Sequence, residues 1–432
     1  MIKRLLWYAA DNFSGLLFGL LSVIVIARQY GVENTGYLAY IQAVASMFSF
    51  FYVLGLDNVI MHTFSSEKKE SEIVSAVLFL RTLGSIIFIL SVILWSHFFS
   101  NIPNELIIYL SIAVCSFLVL GKSSVFRLYF QARGQPKMLS LATLISRIVA
   151  SVYIAYAIFY QIEYAAAVQY FLVAAMINYG IVAYCYFRKG TFSFHVKEVI
   201  QKSGNLIAKS YYILFSSMIF PIFMYIDILV IEHFLSEYDL GIYAAASKLV
   251  AQAIFLGHII VLSFYKEIHD EVVTVGLGGD KLRLSYTLII ILALTGCILT
   301  FFISTPLIQL LFGDQFSDSA PILSILVWKL LFIYLAALNS RILVINGWTH
   351  IELIKSILAA VLSVVMAFTL IPMYGTIGAA MASVSSFMVA DLLLYVIFKE
   401  TRPLFFLFFK SLYGIVWQPL KTGQDLITTL RS

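Results

Sequence analysis

The strongest constraint on this chain is a succession of long apolar segments separated by short polar ones. About twelve segments are long enough to cross the roughly 30 Å hydrocarbon core of a bilayer, which takes about 20 helical residues. They lie at 8–28, 38–60, 74–96, 106–126, 141–160, 165–187, 206–234, 241–264, 284–304, 321–345, 352–373 and 376–398. Since backbone polar groups in hydrocarbon have to be satisfied within the segment itself, these stretches predict α-helices. The sequence therefore predicts an all-α polytopic membrane protein.

Composition supports this class and excludes others. Hydrophobic residues make up 61% of the 432-residue chain and charged residues only 12%, about half the charged fraction of a soluble protein. The formal net charge of +5 is spread along the chain, so we expect no nucleic-acid partner.

The basic start at Lys3 and Arg4 precedes an apolar run without a cleavage site, which predicts a retained first helix. The three cysteines and seven histidines show no metal-ligand spacing, so we expect no metal and no disulfide.

Charge alternates between the loops. One set of loops and ends is basic and contains Lys3, Arg4, Lys68, Lys69, Arg127, Arg133, Lys137, Arg188, Lys189, Lys197, Lys202, Lys266, Lys281, Arg283, Lys399, Arg402, Lys410, Lys421 and Arg431. The alternate set contains only acidic residues, namely Glu33, Glu105, Glu163, Glu237, Asp239, Asp314 and Asp318. Because cytoplasmic loops carry the excess of lysine and arginine, both termini are predicted to be cytoplasmic.

A weak internal repeat suggests two halves. Gly36-Tyr37-Leu38-Ala39 follows the first helix as Gly241-Ile242-Tyr243-Ala244 follows the seventh. An even number of helices per half gives both halves one orientation, so two six-helix lobes would be related by a pseudo-two-fold axis along the membrane normal. A cleft between such lobes is the usual place for a transported substrate. The predicted parts are an N-terminal lobe at 1–190, a linker at 191–205, a C-terminal lobe at 206–400 and a cytoplasmic tail at 401–432.

The tail contains an apolar stretch at 403–420 that Lys410 interrupts. We favour an amphipathic segment lying on the inner membrane surface over a half-formed extra span.

Charged residues inside the spans are the candidate functional groups. Asp227 and Lys248 are equally distant from the acidic turn at 236–243, so an antiparallel hairpin would place both at one depth, roughly 10–15 Å inside the apolar layer. Each costs a few kcal/mol there and needs a partner or a wet cavity. They are either functional or a static ion pair. The repeat places Ser22 and Ala43 at the equivalent positions, so the fold does not require charges there.

Other intramembrane charges can be explained by structural roles as well as by functional ones. Lys329 lies deep in its span, where it either faces a cavity that receives an anion, snorkels, or pairs with another helix. A second group lies nearer to the ends of spans, where snorkelling is the simpler interpretation and where Asp57 and Arg81 could pair across one hairpin. This group contains Arg28, Asp57, Arg81, Arg147, Arg341 and Asp391.

Two stripes of small residues predict close helix packing. Gly15 and Gly19 form one stripe, and Gly378, Ala382 and Ser386 form the other.

Enzyme motifs such as HExxH, GxSxG, a P-loop or a dinucleotide fingerprint do not occur in the sequence. The loops are also too short to fold as a catalytic domain. We therefore expect a protein that is not an enzyme and that does not use ATP directly.

Several ordered motifs carry a family resemblance. They are Ala27-Arg28-Gln29-Tyr30-Gly31 with Gly36-Tyr37, then Tyr129-Phe130-Gln131-Ala132-Arg133-Gly134-Gln135-Pro136-Lys137, then Asp227-Ile228-Leu229-Val230-Ile231 with Gly241-Ile242-Tyr243 and Ala246-Ser247-Lys248, then Leu310-Leu311-Phe312-Gly313, and finally Gly375-Thr376-Ile377-Gly378-Ala379-Ala380. With them the chain resembles the polysaccharide-transporter branch of the multidrug/oligosaccharidyl-lipid/polysaccharide (MOP) exporter superfamily, in particular Wzx-type O-antigen flippases.

The resemblance implies a function. Such proteins move an undecaprenyl-diphosphate-linked repeat unit of O-antigen, capsule or exopolysaccharide from the inner to the outer leaflet of the bacterial cytoplasmic (inner) membrane by alternating access. Their partners would be membrane lipid, the lipid-linked oligosaccharide and other polysaccharide assembly proteins.

The resemblance also suggests roles for residues. On this interpretation the cavity cations that bind substrate are Lys248, Lys329, Arg28, Arg81 and Arg147. Asp227 would couple transport to a proton or sodium gradient, with no other cofactor. The alternatives are an ion-coupled drug exporter or a peptidoglycan-precursor flippase of the same superfamily, and beyond these a membrane glycosyltransferase or polymerase.

Overall fold

The protein is helical throughout the part of the chain that the structure describes. This computed structural model describes residues 2–57, 60, 63–64, 70–98, 106–162, 164–189 and 195–418. Helix makes up 91% of it, and no strand occurs in the described ranges. The predicted all-α class is confirmed.

The helices form two compact units, Met1–His233 and Phe234–Ser432. The helices that begin in the first unit are α1 (Ile2–Phe48), α2 (Phe50–Val53), α3 (Glu70–Phe98), α4 (Leu106–Ala132), α5 (Pro136–Phe159), α6 (Ala165–Lys189) and α7 (Val196–Phe234). Those of the second unit are α8 (Glu237–Ser263), α9 (Tyr265–Thr274), α10 (Asp280–Phe312), α11 (Ser319–Leu326), α12 (Lys329–Ile345), α13 (Thr349–Asp391) and α14 (Arg402–Trp417). The two lobes and the linker drawn from the sequence remain a prediction.

Nine helical stretches in the described part are long and apolar enough to cross a membrane. Seven of them carry one predicted segment each. The other two, Phe13–Val53 with 41 residues and His350–Val396 with 47 residues, are about twice the length of a span and carry two predicted segments each. The remaining predicted segment, 206–234, lies in α7. The chain is therefore a multi-pass membrane protein.

Each double-length stretch contains a glycine with a left-handed backbone. Gly31 in α1 has φ 85° and Gly375 in α13 has φ 60°, a region that side chains with a Cβ rarely adopt. The Lys355 ammonium donates to Asp391 Oδ1 at 2.8 Å, although 36 residues of straight helix would separate them by about 54 Å. The chain therefore reverses at Gly375, and α13 is a hairpin of two arms.

The two arms of α13 touch next to this reversal. A Cβ on Gly378 would lie 2.1 Å from the backbone oxygen of Leu370, so only glycine allows this approach. The close packing predicted for the stripe that begins at Gly378 is confirmed at this residue.

Turns that carry acidic residues lie together within each unit. In the first unit, Tyr30 donates to the backbone oxygen of Ile162 at 3.0 Å, and Tyr164 donates to that of Asn34 at 2.7 Å. Burial raises the pKa of Tyr164, which keeps its hydroxyl a donor. In the second unit, Tyr238 donates to Asp318 at 2.9 Å. This grouping agrees with the charge alternation, and the assignment of this end to the outside remains a prediction.

The tail segment forms α14, which has two different faces. Leu404, Leu407 and Phe408 are buried against the second unit, whereas Phe406 and Trp417 are 63% and 72% exposed. Since these exposed residues are also apolar, the predicted amphipathic character remains a prediction. Whether α14 lies on the membrane or enters it remains a prediction.

Candidate functional site: charged clusters inside the two units

The predicted carboxylate and its predicted lysine partner fall in different units. Asp227 lies in α7, is 6% exposed and accepts a hydrogen bond from the backbone N–H of Ile228 at 2.9 Å. Lys248 lies half-buried in α8. Among the described side chains of the second unit, none makes a hydrogen bond or ion pair with Lys248. Their pairing remains a prediction.

Lys329 opens α12 and is held by the second arm of α13. Its ammonium donates to Ser383 Oγ at 2.9 Å and lies 4.7 Å from the centre of the Phe387 ring. Ser383 and Phe387 are one helical turn apart, so both face the lysine. Of the three interpretations of Lys329, pairing with another helix is the one that the geometry supports, through a hydroxyl and a ring face.

Arg81 is the most fully buried arginine of the predicted set, at 1% exposure. It donates to Asp57 Oδ1 at 2.6 Å and to the backbone oxygen of Gly121 at 2.6 Å. The predicted Asp57–Arg81 pair is therefore confirmed. A Cβ on Gly121 would lie 2.5 Å from the Tyr52 ring, so the peptide that receives Arg81 is tightly enclosed. These contacts give Arg81 a structural role here, and its assignment as a cavity cation remains a prediction.

Arg147 lies against the first helix. Its guanidinium donates to the backbone oxygen of Gly15 and contacts that of Ser14 at 3.4 Å. A Cβ on Gly15 would lie 3.3 Å from Nη2, and one on Gly19 would lie 3.9 Å from Nη1. The small stripe at Gly15 and Gly19 is therefore a close-packing surface, as predicted, and it accommodates a guanidinium.

Arg28, the last predicted cation, is exposed and lies near the turn at Gly31. The sequence also placed it near the end of a span.

A charged group next to Arg147 was missed by the sequence argument. Arg127 donates to Asp11 Oδ2 at 2.8 Å and to Thr143 Oγ1 at 2.8 Å, and the Asp11 and Arg127 side chains are 13% and 23% exposed. Arg127 was counted with a basic loop. That placement is wrong because α4 continues to Ala132, which leaves Arg127 inside the helix.

A second missed group ties together the arms of α13. Lys355 contacts Asp391 at 2.8 Å and Glu352 at 3.1 Å, and Ser340 donates to Glu352 at 2.9 Å. Lys355 and Asp391 are 5% and 3% exposed, and the Lys355 ammonium lies 5.9 Å from the centre of the Tyr395 ring. Asp391, which the sequence placed near the end of a span without a partner, is an ion-pair partner of Lys355.

A family model decides the relationship of this chain to known proteins. The model described as "Polysaccharide biosynthesis protein" matches residues 1–265. The chain belongs to the polysaccharide biosynthesis protein family. The match includes Asp11, Arg127, Arg147, Asp227 and Lys248. The Lys355 group lies beyond it.

Individual relatives agree with this family membership. The chain is 23% identical over 407 residues to the capsular polysaccharide biosynthesis protein CapF of Staphylococcus aureus, which covers 93% of this chain and all of that protein. The predicted resemblance to MOP-superfamily polysaccharide flippases is confirmed.

Solved structures show the fold. The lipid II flippase MurJ in an inward closed conformation is similar with a TM-score of 0.70 at 17% identity, over 99% of this chain and 96% of that one. The Vibrio cholerae MATE transporter VcmN is similar with a TM-score of 0.62 at 15% identity, over 94% and 97%. This chain therefore shares its fold with these two proteins.

Proposed function

We propose that this family member is a flippase for lipid-linked oligosaccharide. It would move an undecaprenyl-diphosphate-linked repeat unit of O-antigen, capsule or exopolysaccharide from the inner to the outer leaflet of the bacterial cytoplasmic membrane by alternating access. Both termini would be cytoplasmic, and no chemical step would be catalysed. Family membership supports the polysaccharide context, and the fold shared with a lipid II flippase supports a lipid-linked cargo.

The observation that carries this proposal is the environment of Lys248, namely its burial and its bonding partners. A diphosphate cannot cross hydrocarbon unaided, because desolvating its charge is far more costly than desolvating a neutral polar group. Cationic side chains inside the protein can replace its hydration. Lys248 is half-buried in a helix long and apolar enough to span a membrane, and no described side chain of the second unit bonds it, so its charge would be available to a phosphate. Lys329, which a serine hydroxyl and a ring hold, would be a second cation for the same cargo.

Lys248→Ala and Lys329→Ala test the proposal. We expect both variants to reach the membrane in normal amount and to reduce the export of lipid-linked glycan, with Lys248→Ala the more severe. Surface polysaccharide in a deletion strain, at matched low expression, provides the measurement. Lys248→Arg keeps the charge and should retain part of the export, whereas Lys399→Ala changes an exposed lysine and should have no effect.

Normal surface polysaccharide in Lys248→Ala cells would reject this assignment. A deletion that changes drug susceptibility and leaves polysaccharide unchanged would instead favour the drug exporter.

Asp227 is proposed as the coupling group. Asp227 is a carboxylate buried in α7, and carboxylates inside membrane-spanning regions are typical of proton and ion pathways. In proteoliposomes, Asp227→Asn should bind the lipid-linked substrate and lose the response of flipping to an imposed proton or sodium gradient. An unchanged gradient response in Asp227→Asn would refute this role, with Glu237→Gln at the exposed end of α8 as the control.

A further inference from the structure

The helical stretch Ser319–Ile345 is interrupted directly before Lys329. α11 ends at Leu326 and α12 begins at Lys329, although the whole stretch is one candidate membrane span of 27 residues. Val327 has φ −60° and ψ −28°, and Trp328 has φ −63° and ψ −20°, which are values of a 3₁₀-helix. The span therefore contains a tight turn at Val327 and Trp328, which we call the Lys329 turn.

Backbone hydrogen bonds in the Lys329 turn join residues three apart. They run from Trp328 to Ile325 at 3.1 Å, from Leu330 to Val327 at 3.0 Å and from Leu331 to Trp328 at 3.3 Å. A 3₁₀-helix has about 3 residues per turn and an α-helix about 3.6, so each residue that changes between the two forms rotates the chain by about 20°. Three such residues would rotate the two parts of the span by about 60° relative to each other.

The sequence contains no local cause for the turn. Between Ile322 and Ile345 there is neither proline nor glycine, although these residues cause most helix kinks. A contact from α10 provides a tertiary cause, since Cys297 Sγ lies 3.3 Å from the backbone oxygen of Val327. In an α-helix this oxygen would accept from the N–H of Leu331. The thiol therefore occupies the acceptor that an uninterrupted helix would use.

Lys329 is the first residue after the turn, and α13 holds its side chain. The ammonium donates to Ser383 Oγ at 2.9 Å and lies 4.7 Å from the centre of the Phe387 ring. A hydrogen bond with a charged donor is stronger than a neutral one, so Ser383 stabilises the arrangement in which Lys329 points at α13. The Lys329 turn is thus held from two helices, by Cys297 of α10 and by Ser383 of α13.

We infer that Cys297 and Ser383 are positioning residues that keep the Lys329 turn in its 3₁₀ form and Lys329 in a resting position. The inference rests on the proposed function, in which Lys329 is a cation for the lipid-linked diphosphate. Ionised phosphate oxygens compete with the neutral Ser383 hydroxyl for the ammonium. Cargo binding releases Lys329 from Ser383, the turn changes to an α-helix, and Cys297 loses the Val327 oxygen. Binding at one lysine is thereby converted into a rotation within the span.

The reactivity of Cys297 tests this inference. N-ethylmaleimide alkylates the purified full-length protein in phosphatidylcholine nanodiscs, after Cys115→Ser and Cys185→Ser have removed the other two cysteines. Cys297 is 0% exposed, so its alkylation rate follows the equilibrium between the closed and the opened turn. Ser383→Ala should raise this rate by about tenfold, the size expected for one lost hydrogen bond to a charged group. Ser383→Thr keeps a hydroxyl and should restore the slow rate.

Ser386→Ala is the matched control. Ser386 lies on the same arm of α13, is 0% exposed and donates to the backbone oxygen of Ala382 at 2.7 Å, so this variant loses a buried hydroxyl that bonds its own helix. The Cys297 rate should stay at the background value. A rise in Ser386→Ala equal to that in Ser383→Ala would show a general loosening of α13 and would overturn the inference.

Undecaprenyl diphosphate tests the coupling to cargo. With Ser383 intact, it should raise the Cys297 rate by about fivefold or more, because a ligand shifts an equilibrium towards the state that it binds better. Undecaprenol lacks the phosphates and should have no effect. Lys329→Met should react fast without the lipid, and the diphosphate should add nothing to its rate.

The outcomes separate this inference from the proposed function. If the wild-type chain restores export while neither Ser383→Ala nor the diphosphate changes the Cys297 rate, the flippase stands and the positioning role is overturned. If Ser383→Ala does not fold, the response of the background protein to the diphosphate decides: a faster rate supports the inference and an unchanged rate overturns it. A wild-type chain that neither restores export nor binds the diphosphate rejects both.

Discussion

In the first unit, α1 packs against α5, and Arg127 of α4 joins this contact, which we call the α1–α5 seam. The seam holds two arginines against one carboxylate, whereas the hairpin α13 of the second unit holds one lysine against two. In the seam, Arg147 is bound by backbone oxygens and Asp11 forms its ion pair with Arg127. In the hairpin, Lys355 lies between Asp391 and Glu352. The seam therefore has an excess positive charge and the hairpin an excess negative charge, counted over these contacting groups.

The difference follows from the two cations. An arginine presents five donors in a planar fork and can use neutral carbonyl oxygens when no acid is near, whereas a lysine presents a compact charge that carboxylates neutralise best. The seam can therefore remain assembled although Arg147 bonds only backbone oxygens. The hairpin is more nearly closed on itself, since Lys355 and Asp391 join the two arms of one helix. This contrast gives the Lys355 group a mainly structural role.

Removing Lys355 should have the largest effect. Lys355→Met would leave Asp391 buried beside Glu352 with no cation, which costs about 3–5 kcal/mol for a broken buried pair. We expect a large loss of folded protein and a lower thermal unfolding midpoint in detergent, measured by size-exclusion chromatography after heating.

A double variant sharpens this result. Lys355→Met with Asp391→Asn should recover much of the lost stability, since the buried Asp391 charge is gone.

Arg147→Met in the seam should lower stability less than Lys355→Met, because it removes hydrogen bonds to neutral acceptors only. Equal losses in Arg147→Met and Lys355→Met would break the comparison.

The sequence could predict the hairpin pair but not the seam. Lys355 lies 20 residues before Gly375 and Asp391 lies 16 residues after it, so the equal-depth argument used for Asp227 and Lys248 applies to them as well. The predicted spans 352–373 and 376–398 already place a reversal between them, but Lys355 was not counted among the intramembrane charges.

The seam depends on contacts across three helices. Arg127, Asp11 and Arg147 are distant in sequence, and a helix end that was placed six residues early moved Arg127 into a loop. The membrane spans, the all-α class and the helical tail segment can be predicted from composition and periodicity, which are local properties of the sequence. The partners of an arginine are set by packing of α4 against α6 and of α5 against α1, which periodicity does not determine.

The two glycines with a left-handed backbone provide a prediction of intermediate size. Gly31→Ala and Gly375→Ala would each force a Cβ into a left-handed backbone, which costs about 1–2 kcal/mol. Both variants should lower the unfolding midpoint by similar amounts, since each glycine has a positive φ inside a double-length helical stretch. Gly180→Ala in α6 is the control: its Cβ would meet nothing within 4 Å, and alanine is favoured in a helix interior. A loss in Gly375→Ala without a loss in Gly31→Ala would show that the device matters in the second unit alone.

The smallest effect is expected for Glu352→Gln. The Glu352 side chain is 32% exposed, it accepts from Ser340 at 2.9 Å, and it contacts a lysine that Asp391 already neutralises at 2.8 Å. A glutamine keeps the acceptor for Ser340 and removes the excess negative charge, so we expect the stability to change by less than about 1 kcal/mol, as for other partly exposed pairs. The measurement is again the unfolding midpoint, beside Asp391→Asn, which should be clearly more harmful because Asp391 is 3% exposed. If Glu352→Gln destabilised the protein as much as Asp391→Asn, Glu352 would be a required partner of Lys355 and the excess charge assigned to the hairpin would be wrong. If it left stability intact and changed the ion dependence of transport, the excess negative charge of the hairpin would have a function in transport, which the seam, with its excess positive charge, could not share.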